Sequence, residues 1–374
     1  MTALLLIAGL AVLVVGGEVL VRGAGGLARS FGISPLVVGL TVVSFATSAP
    51  ELAVTVQATL DGTPGLAVGN VVGSNIANVL LVLGIAGLML PLAVRMPVVR
   101  RDVPLLVVLS VLLLVVSLGG SVSRIEGLIL VFAVAGYVAW TVIRSRREEL
   151  ALARKRPAGP DEAPALRVPV ALLLVVVGVA LLVLGARWLV DSATEIAATL
   201  GMSDLVIGLT IVAVGTSLPE LATSVVAAVR GNVEMAVGNA VGSCIFNIGA
   251  VMGLAAAVAP GGVPVERAAL TFDMPIMIAV ALALLPIAFT GFKIARWEAG
   301  LFVAYYAAYV TYLLLNSAEH GALDEFNAVM LFFVIPITAL TLVLLAVFEL
   351  GVHRGRRQAQ RHAAGEGGAE SSPR

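Results

Sequence analysis

Long apolar runs separated by short polar breaks fill almost the whole chain. They fall at about residues 3–21, 34–60, 66–90, 103–119 and 125–143, and again at 168–190, 205–229, 235–258, 268–290, 297–315 and 326–350. A bilayer core accommodates about 20 apolar residues of helix, so each run predicts one membrane-spanning helix. The order is five helices, a polar stretch, five helices and one more. The expected organisation is a first five-helix half over 1–143, a cytoplasmic linker over 144–167 and a second five-helix half over 168–315. An extra helix with its preceding outer loop follows over 316–350, and a disordered basic tail over 351–374.

Composition agrees. Of 374 residues, 60% are hydrophobic and 12% charged, against about 25% charged in soluble domains, and the mean hydropathy is +1.06. A soluble globular fold is excluded in favour of an all-α membrane protein. The net charge of zero says little, because in a membrane protein the side on which charges lie matters more than their sum, and no nucleic-acid partner is expected. The single cysteine, Cys244, leaves no intramolecular disulfide and no cysteine-cluster metal site. The N-terminus enters its first apolar run at Ala3 without a basic segment before it, and is expected to be a spanning helix rather than a leader.

Basic residues next to spans are retained in the cytoplasm. With the N-terminus outside and the C-terminus cytoplasmic, only Arg124, Arg187 and Arg267 fall on the outer side. That sidedness requires an odd number of spans, which supports the eleventh. Only two of the 23 basic residues are lysines, Lys155 and Lys293. This bias, with abundant Ala, Val and Gly, suggests a GC-rich prokaryotic genome and hence the plasma (inner) membrane.

Shifting the chain by 169 positions lays GLTVVSFATSAPELA at Gly39 onto GLTIVAVGTSLPELA at Gly208, and AVGNVVGSNIAN at Ala67 onto AVGNAVGSCIFN at Ala236. About half the residues from Ser34 to Gly84 match their partners. Apolar composition does not produce a shared Gly, Thr, Ser, Pro, Glu and Asn skeleton at constant spacing. Five spans per copy is an odd number, so the copies run through the membrane in opposite senses. The charges agree, because Arg22 aligns with Asp191 and Asp61 with Arg230. Inverted repeats are a device of transporters, whose halves exchange conformations around one central site.

Glu51 and Glu220 lie mid-run in equivalent places. An acidic side chain there costs about 2.5–3.5 kcal/mol on insertion scales, and no basic residue lies mid-span to pair with it, so a cation from solution is the expected partner. Pro50 and Pro219 precede the glutamates and have no N–H to offer Ala46 and Gly215, leaving those carbonyls free. Thr47, Ser48, Thr216 and Ser217 add hydroxyls, while Ser44 and Ala213 could add backbone oxygens. Ser74 and Asn78, like Ser243 and Asn247, are four apart and share a helix face. Asn70 and Asn239 are assigned a structural role, and Cys244 a packing role. The donor set is all oxygen, which suits Ca²⁺ and, in smaller subsets, Na⁺. No nucleotide-binding loop, zinc motif or intramembrane histidine occurs, so the chain is expected to be gradient-driven and not an enzyme.

The paired motifs GLTVVSFATSAPEL with GNVVGSNIAN, and GLTIVAVGTSLPEL with GNAVGSCIFN, resemble the two α-repeats of the cation/Ca²⁺ antiporter superfamily. The nearest resemblance is to prokaryotic Na⁺/Ca²⁺ exchangers, and it covers nearly the whole ten-span body. It implies an inverted-repeat fold and exchange of Na⁺ for Ca²⁺, typically three to one. On matching positions Glu51 and Glu220 would be the shared carboxylates, with Thr47 and Thr216 flanking Ca²⁺. Ser48, Ser217, Ser74 and Ser243 would complete Na⁺ sites, Ser44 and Ala213 would supply carbonyls, and Asn78 and Asn247 would sit between the glutamates. Some prokaryotic members carry an acidic residue at the position of Asn247. The Ca²⁺/H⁺ branch usually has one after its GN motif, and Val71 to Asn75 and Ala240 to Cys244 contain none.

The expectation is a secondary antiporter exchanging Ca²⁺ for Na⁺ by alternating access. Its partners are those ions and the bilayer, with no cofactor and no obligate protein partner. Ca²⁺/H⁺ exchange is the nearest alternative, and a cation channel a further one.

Overall fold

The computed structural model describes residues 2–153, 166–201, 211, 213–289, 292–317, 323–339 and 343. The first half begins with α1 (Thr2–Phe31), followed by α2 (Pro35–Val38) and α3 (Ser44–Thr47), which a π-helical turn joins, and by α4 (Ala49–Leu60). Next come α5 (Pro64–Ala77) and α6 (Leu83–Met89), joined by the π turn Asn78–Val82, and then α7 (Val103–Ser117) and α8 (Arg124–Ala153). The second half repeats the order: α9 (Val168–Thr199), α10 (Ala213–Gly215), α11 (Leu218–Val229), α12 (Val233–Phe246), α13 (Gly253–Val258), α14 (Met274–Phe289) and α15 (Arg296–Ser317). The π turn Asn247–Met252 joins α12 to α13, and α16 (Leu323–Val329) follows α15.

By length and composition, seven of the described helices can cross a bilayer, or eight if the bent pair Pro35–Thr47 and Ala49–Leu60 is one span. The expected eleven runs are not all matched by full-length helices. α7 keeps only fifteen residues because Arg100, Arg101 and Asp102 occupy the π turn before it. The run at 205–229 and the last run continue into residues outside those described, as do 154–165 of the expected linker, the outer-loop Glu319 and the expected tail 351–374. Three helices overrun their apolar stretches. α1 continues ten residues past Val21, α9 reaches Thr199, and α8 carries Arg144–Ala153 into the stretch expected as linker. Arg, Glu, Leu and Ala favour helix, and Arg144 pairs with Glu148 one turn on at 2.7 Å.

Lipid removes most of the hydrophobic drive between helices, so close packing through small residues takes over. Gly9, Gly16 and Gly23 of α1 lie against α9 so tightly that a Cβ at any of them would come within about 3 Å of its backbone. A second crossing brings α2, its π turn and α3 onto α12. There a Cβ on Gly39 would stand 2.6 Å from the Met235 carbonyl, and one on Gly238 2.6 Å from that of Leu36. Pro64–Met89 and Val233–Val258 are 78% buried, against 17% for the α8 span. The third helix of each half is therefore the core, and Ile125, Ile129 and Phe132 of α8 face outward.

Equivalent contacts recur in both halves. Tyr137 donates to Asp102 at 2.8 Å, and Tyr309 to Asp273 at 3.0 Å. Two short antiparallel ladders, Leu92–Ala93 with Lys293–Ile294 and Ser121–Val122 with Val263–Pro264, each tie one half to the other. A pseudo-two-fold axis follows from this pairing. Tyr305 holds the last described helix to α15 by donating to Thr338 at 2.8 Å.

Candidate functional site

Ahead of each glutamate the helix breaks, at Ser48 between α3 and α4 and at Thr216–Ser217 between α10 and α11. Ser48 has φ −79° and ψ 4°, and Ser217 has φ −89° and ψ 4°. The physical cause is the proline two positions on, which has no N–H for the carbonyl four residues back. The bend between Pro35–Thr47 and Ala49–Leu60 is 43°. New helices begin at once, Leu52 N–H donating to Ser48 at 3.0 Å and Leu221 N–H to Ser217 at 3.0 Å. Glu51 and Glu220 thus stand in the first turn of α4 and α11, where the positive end of the helix dipole favours a carboxylate.

Both glutamates are fully buried. Each turn is tied down the same way. Asn70 Nδ2 donates to the Thr55 hydroxyl at 2.9 Å and the Glu51 carbonyl at 3.2 Å. Asn239 Nδ2 donates to the Ser224 hydroxyl at 2.9 Å and the Glu220 carbonyl at 3.3 Å. These contacts match the structural role expected of the two asparagines. Thr55 and Ser224, which the sequence reading did not single out, complete the brace.

Around the glutamates lies a mirrored set of buried oxygens and amides without hydrogen-bond partners among the described residues. It comprises Ser48, Glu51 and Asn78 from one repeat, and Ser217, Glu220, Ser243 and Asn247 from the other. Polar groups buried in protein normally find a partner, so repetition of the exception at equivalent positions marks a site. Asn78 and Asn247 each open a π turn, a distortion frequent at functional sites. Ser74 is buried on the same helix as Asn78.

Other expected residues are engaged differently. The Ser44 hydroxyl donates to the carbonyls of Gly39 at 2.6 Å and Asn239 at 3.0 Å, while the Ser44 carbonyl accepts from Ser48 N–H at 2.9 Å. Thr47 donates to Asn239 Oδ1 at 3.3 Å. Thr216 instead lines an open cleft of ≈ 420 Å³ with Ala49, Pro50, Ala53, Ala186, Arg187 and Pro219 among its walls. Ala213 begins α10. Thr223, buried with an unpartnered hydroxyl, was missed. It sits one turn after Glu220, but Val54 holds its place in the first repeat, so the shared skeleton does not reveal it. Cys244 is buried and touches its own repeat mate, its thiol lying 3.6 Å from the Asn75 carbonyl.

The sequence model of the family described as Sodium/calcium exchanger protein matches residues 1–143 and 170–315. The inner membrane protein YrbG of Escherichia coli K12 is 38% identical over 285 residues, covering 75% of this chain and 87% of that one. The sodium/calcium exchanger MaX1 of Methanosarcina acetivorans is 34% identical over 343 residues, covering 83% and 97%. The solved structure of the sodium-calcium exchanger NCX_Mj superposes with a TM-score of 0.70 at 31% identity, covering 83% of this chain and 98% of its own. With its family match over both halves and its fold shared at that identity, the chain belongs to the sodium/calcium exchanger protein family.

Proposed function

We propose that this protein is a secondary antiporter that exchanges Ca²⁺ for Na⁺ across the plasma membrane, with its N-terminus outside and its C-terminus cytoplasmic. The observation that carries the reading is the mirrored set of buried, unpartnered oxygens around Glu51 and Glu220. An uncompensated buried carboxylate costs several kcal/mol, and two of them balance one Ca²⁺. Ser48, Ser217, Ser74, Ser243, Asn78 and Asn247 supply neutral oxygen beside them. Thr47 and Thr216 flank the carboxylates, and carbonyls of Ser44 and Ala213 extend the donor set, which suits Ca²⁺ at six to eight ligands.

Residues 1–143 and 168–315 act as the two halves of an alternating-access cycle. The cleft at Thr216 is one route to the glutamates. Ca²⁺ and Na⁺ compete for the same carboxylates, so the halves exchange only when those charges are neutralised. The test is radioactive Ca²⁺ uptake into proteoliposomes loaded with Na⁺ and diluted into Na⁺-free buffer. Uptake should need the outward Na⁺ gradient, and Glu51→Gln or Glu220→Gln should lower it at least ten-fold with the purified protein still monodisperse. Uptake that follows a proton gradient without Na⁺, or persists in either variant, would overturn the reading.

A further inference from the structure

The repeat is mirrored in contacts at the glutamates but not at the helices that flank them. At one end of the bundle α1 closes onto α11, where a Cβ on Gly17 would stand 3.2 Å from Val226 and 3.3 Å from the Ala222 carbonyl. The equivalents of Gly17 and Ala222 under the 169-residue shift are Ala186 and Ala53. These two do not close on one another but stand in the walls of the open cleft. The structure is therefore shut on one face of the site and open on the other.

An ion-pair cluster bridges the shut face. Glu18 of α1 accepts from Arg230, at the end of α11, at 2.7 Å and from Arg22 at 2.6 Å. The same shift carries Glu18 to Arg187, Arg22 to Asp191 and Arg230 to Asp61, so each charge is replaced by its opposite. Random drift would not preserve complementarity through three sign changes. On the open face Arg187 and Asp191 line the cleft, and among the described residues no ion pair reaches Arg187. Asp61 accepts from Gln57 at 2.8 Å instead.

We propose that Glu18–Arg230 and Arg187–Asp61 are two gate latches of opposite polarity, made one at a time as the faces of the site alternately close. The proposal rests on the alternating-access reading and adds the residues that bias it. When α9 swings onto α4 as α1 now lies on α11, Ala186 meets Ala53 and Arg187 comes over Asp61. Closure on that side is then held by the same number of charges as on the other.

The test is disulfide formation in Ala53→Cys/Ala186→Cys, built on a Cys244→Ser background and oxidised in membranes with copper phenanthroline. Glu18→Gln and Arg230→Gln release the shut face and should speed cross-linking about two- to five-fold, the range an exposed ion pair supplies. Arg187→Gln and Asp61→Asn should slow it by a similar factor. The exchange of charges Glu18→Arg/Arg230→Glu should return the rate to that of the parent, which separates a latch from damaged packing. Unchanged rates in both Glu18→Gln and Arg230→Gln, or Asp61→Asn moving the rate in the same direction as Glu18→Gln, would overturn the proposal. The readout needs neither ion, so a failed exchange assay leaves it standing.

Discussion

Asn239 serves both repeats at once. Its amide donates to Ser224 and to the Glu220 carbonyl, while its Oδ1 accepts from Thr47 of the other repeat. Asn70 makes the equivalent pair of bonds, but Thr216, the counterpart of Thr47, lines the cleft instead. Leaving a buried donor or acceptor unsatisfied costs about 1–3 kcal/mol. Asn239→Ala should therefore lower the unfolding temperature in detergent more than Asn70→Ala does, and both should weaken Ca²⁺ binding by loosening the glutamate turn. Thermal unfolding of the three proteins side by side checks this, and equal midpoints would remove the bracing role. The same residue-scale logic makes Glu51 and Glu220 different in kind, since among the described residues their carboxylate oxygens have no hydrogen-bond partner within 3.5 Å.

At the scale of elements, position depends on closeness of backbones rather than on apolar area. α12 can lie against the π turn at Gly39 only because neither Gly39 nor Gly238 carries a Cβ, and Gly242 is pressed against the Ser44 hydroxyl in the same crossing. Overpacking a tight core typically costs about 1–3 kcal/mol, and here the obstacle is backbone, which cannot rotate away. Gly39→Val should accordingly fall at or beyond the upper end of that range, read as loss of monodisperse protein or a large drop in unfolding temperature. Gly136→Ala, at a position with nothing within 4 Å, should leave both unchanged. If Gly39→Val proved as stable as Gly136→Ala, the crossing would not be what holds the broken helix in place. The helix break has a separate cause, the proline after each of Ala49 and Leu218, and would survive that substitution.

For the whole molecule, Glu51 and Glu220, one from each half, are buried and among the described residues lack hydrogen-bond partners, so the proposed cation binding would be linked to stability. A ligand that binds only the folded form adds about 2.7 kcal/mol at a concentration of 100 Kd. Ca²⁺ should raise the unfolding temperature of the purified protein, a chelator should reverse the rise, and Glu220→Gln should abolish the response while retaining its own fold. A Ca²⁺ response as large in Glu220→Gln as in the parent would mean that the ion binds elsewhere. The asymmetry of the flanking helices belongs to this scale too. α1 lies on α11 while the equivalent surfaces of α9 and α4 line a cleft of ≈ 420 Å³.

Chain order alone was enough for the membrane class, the repeat, its axis of symmetry and the pair of glutamates, because hydrophobic length and exact recurrence of polar residues are local properties. It was also enough for the position of the helix breaks, since proline acts on the turn that precedes it. It did not reach the ends of α8 and α9, where helix formers carry the chain beyond its apolar stretch, nor the end of α1, whose Gly23 packs against the backbone of α9, nor the π turns that begin at Asn78 and Asn247. The Thr55 and Ser224 braces, the engagement of Ser44 with Asn239 and the exposure of Thr216 to the cleft were likewise invisible. Each depends on contacts between segments some 15 to 195 residues apart. A repeat makes its two halves nearly equal in sequence, yet Gly17 of α1 packs on α11 while the equivalent Ala186 and Ala53 line a cleft, and only packing in three dimensions can break that equality.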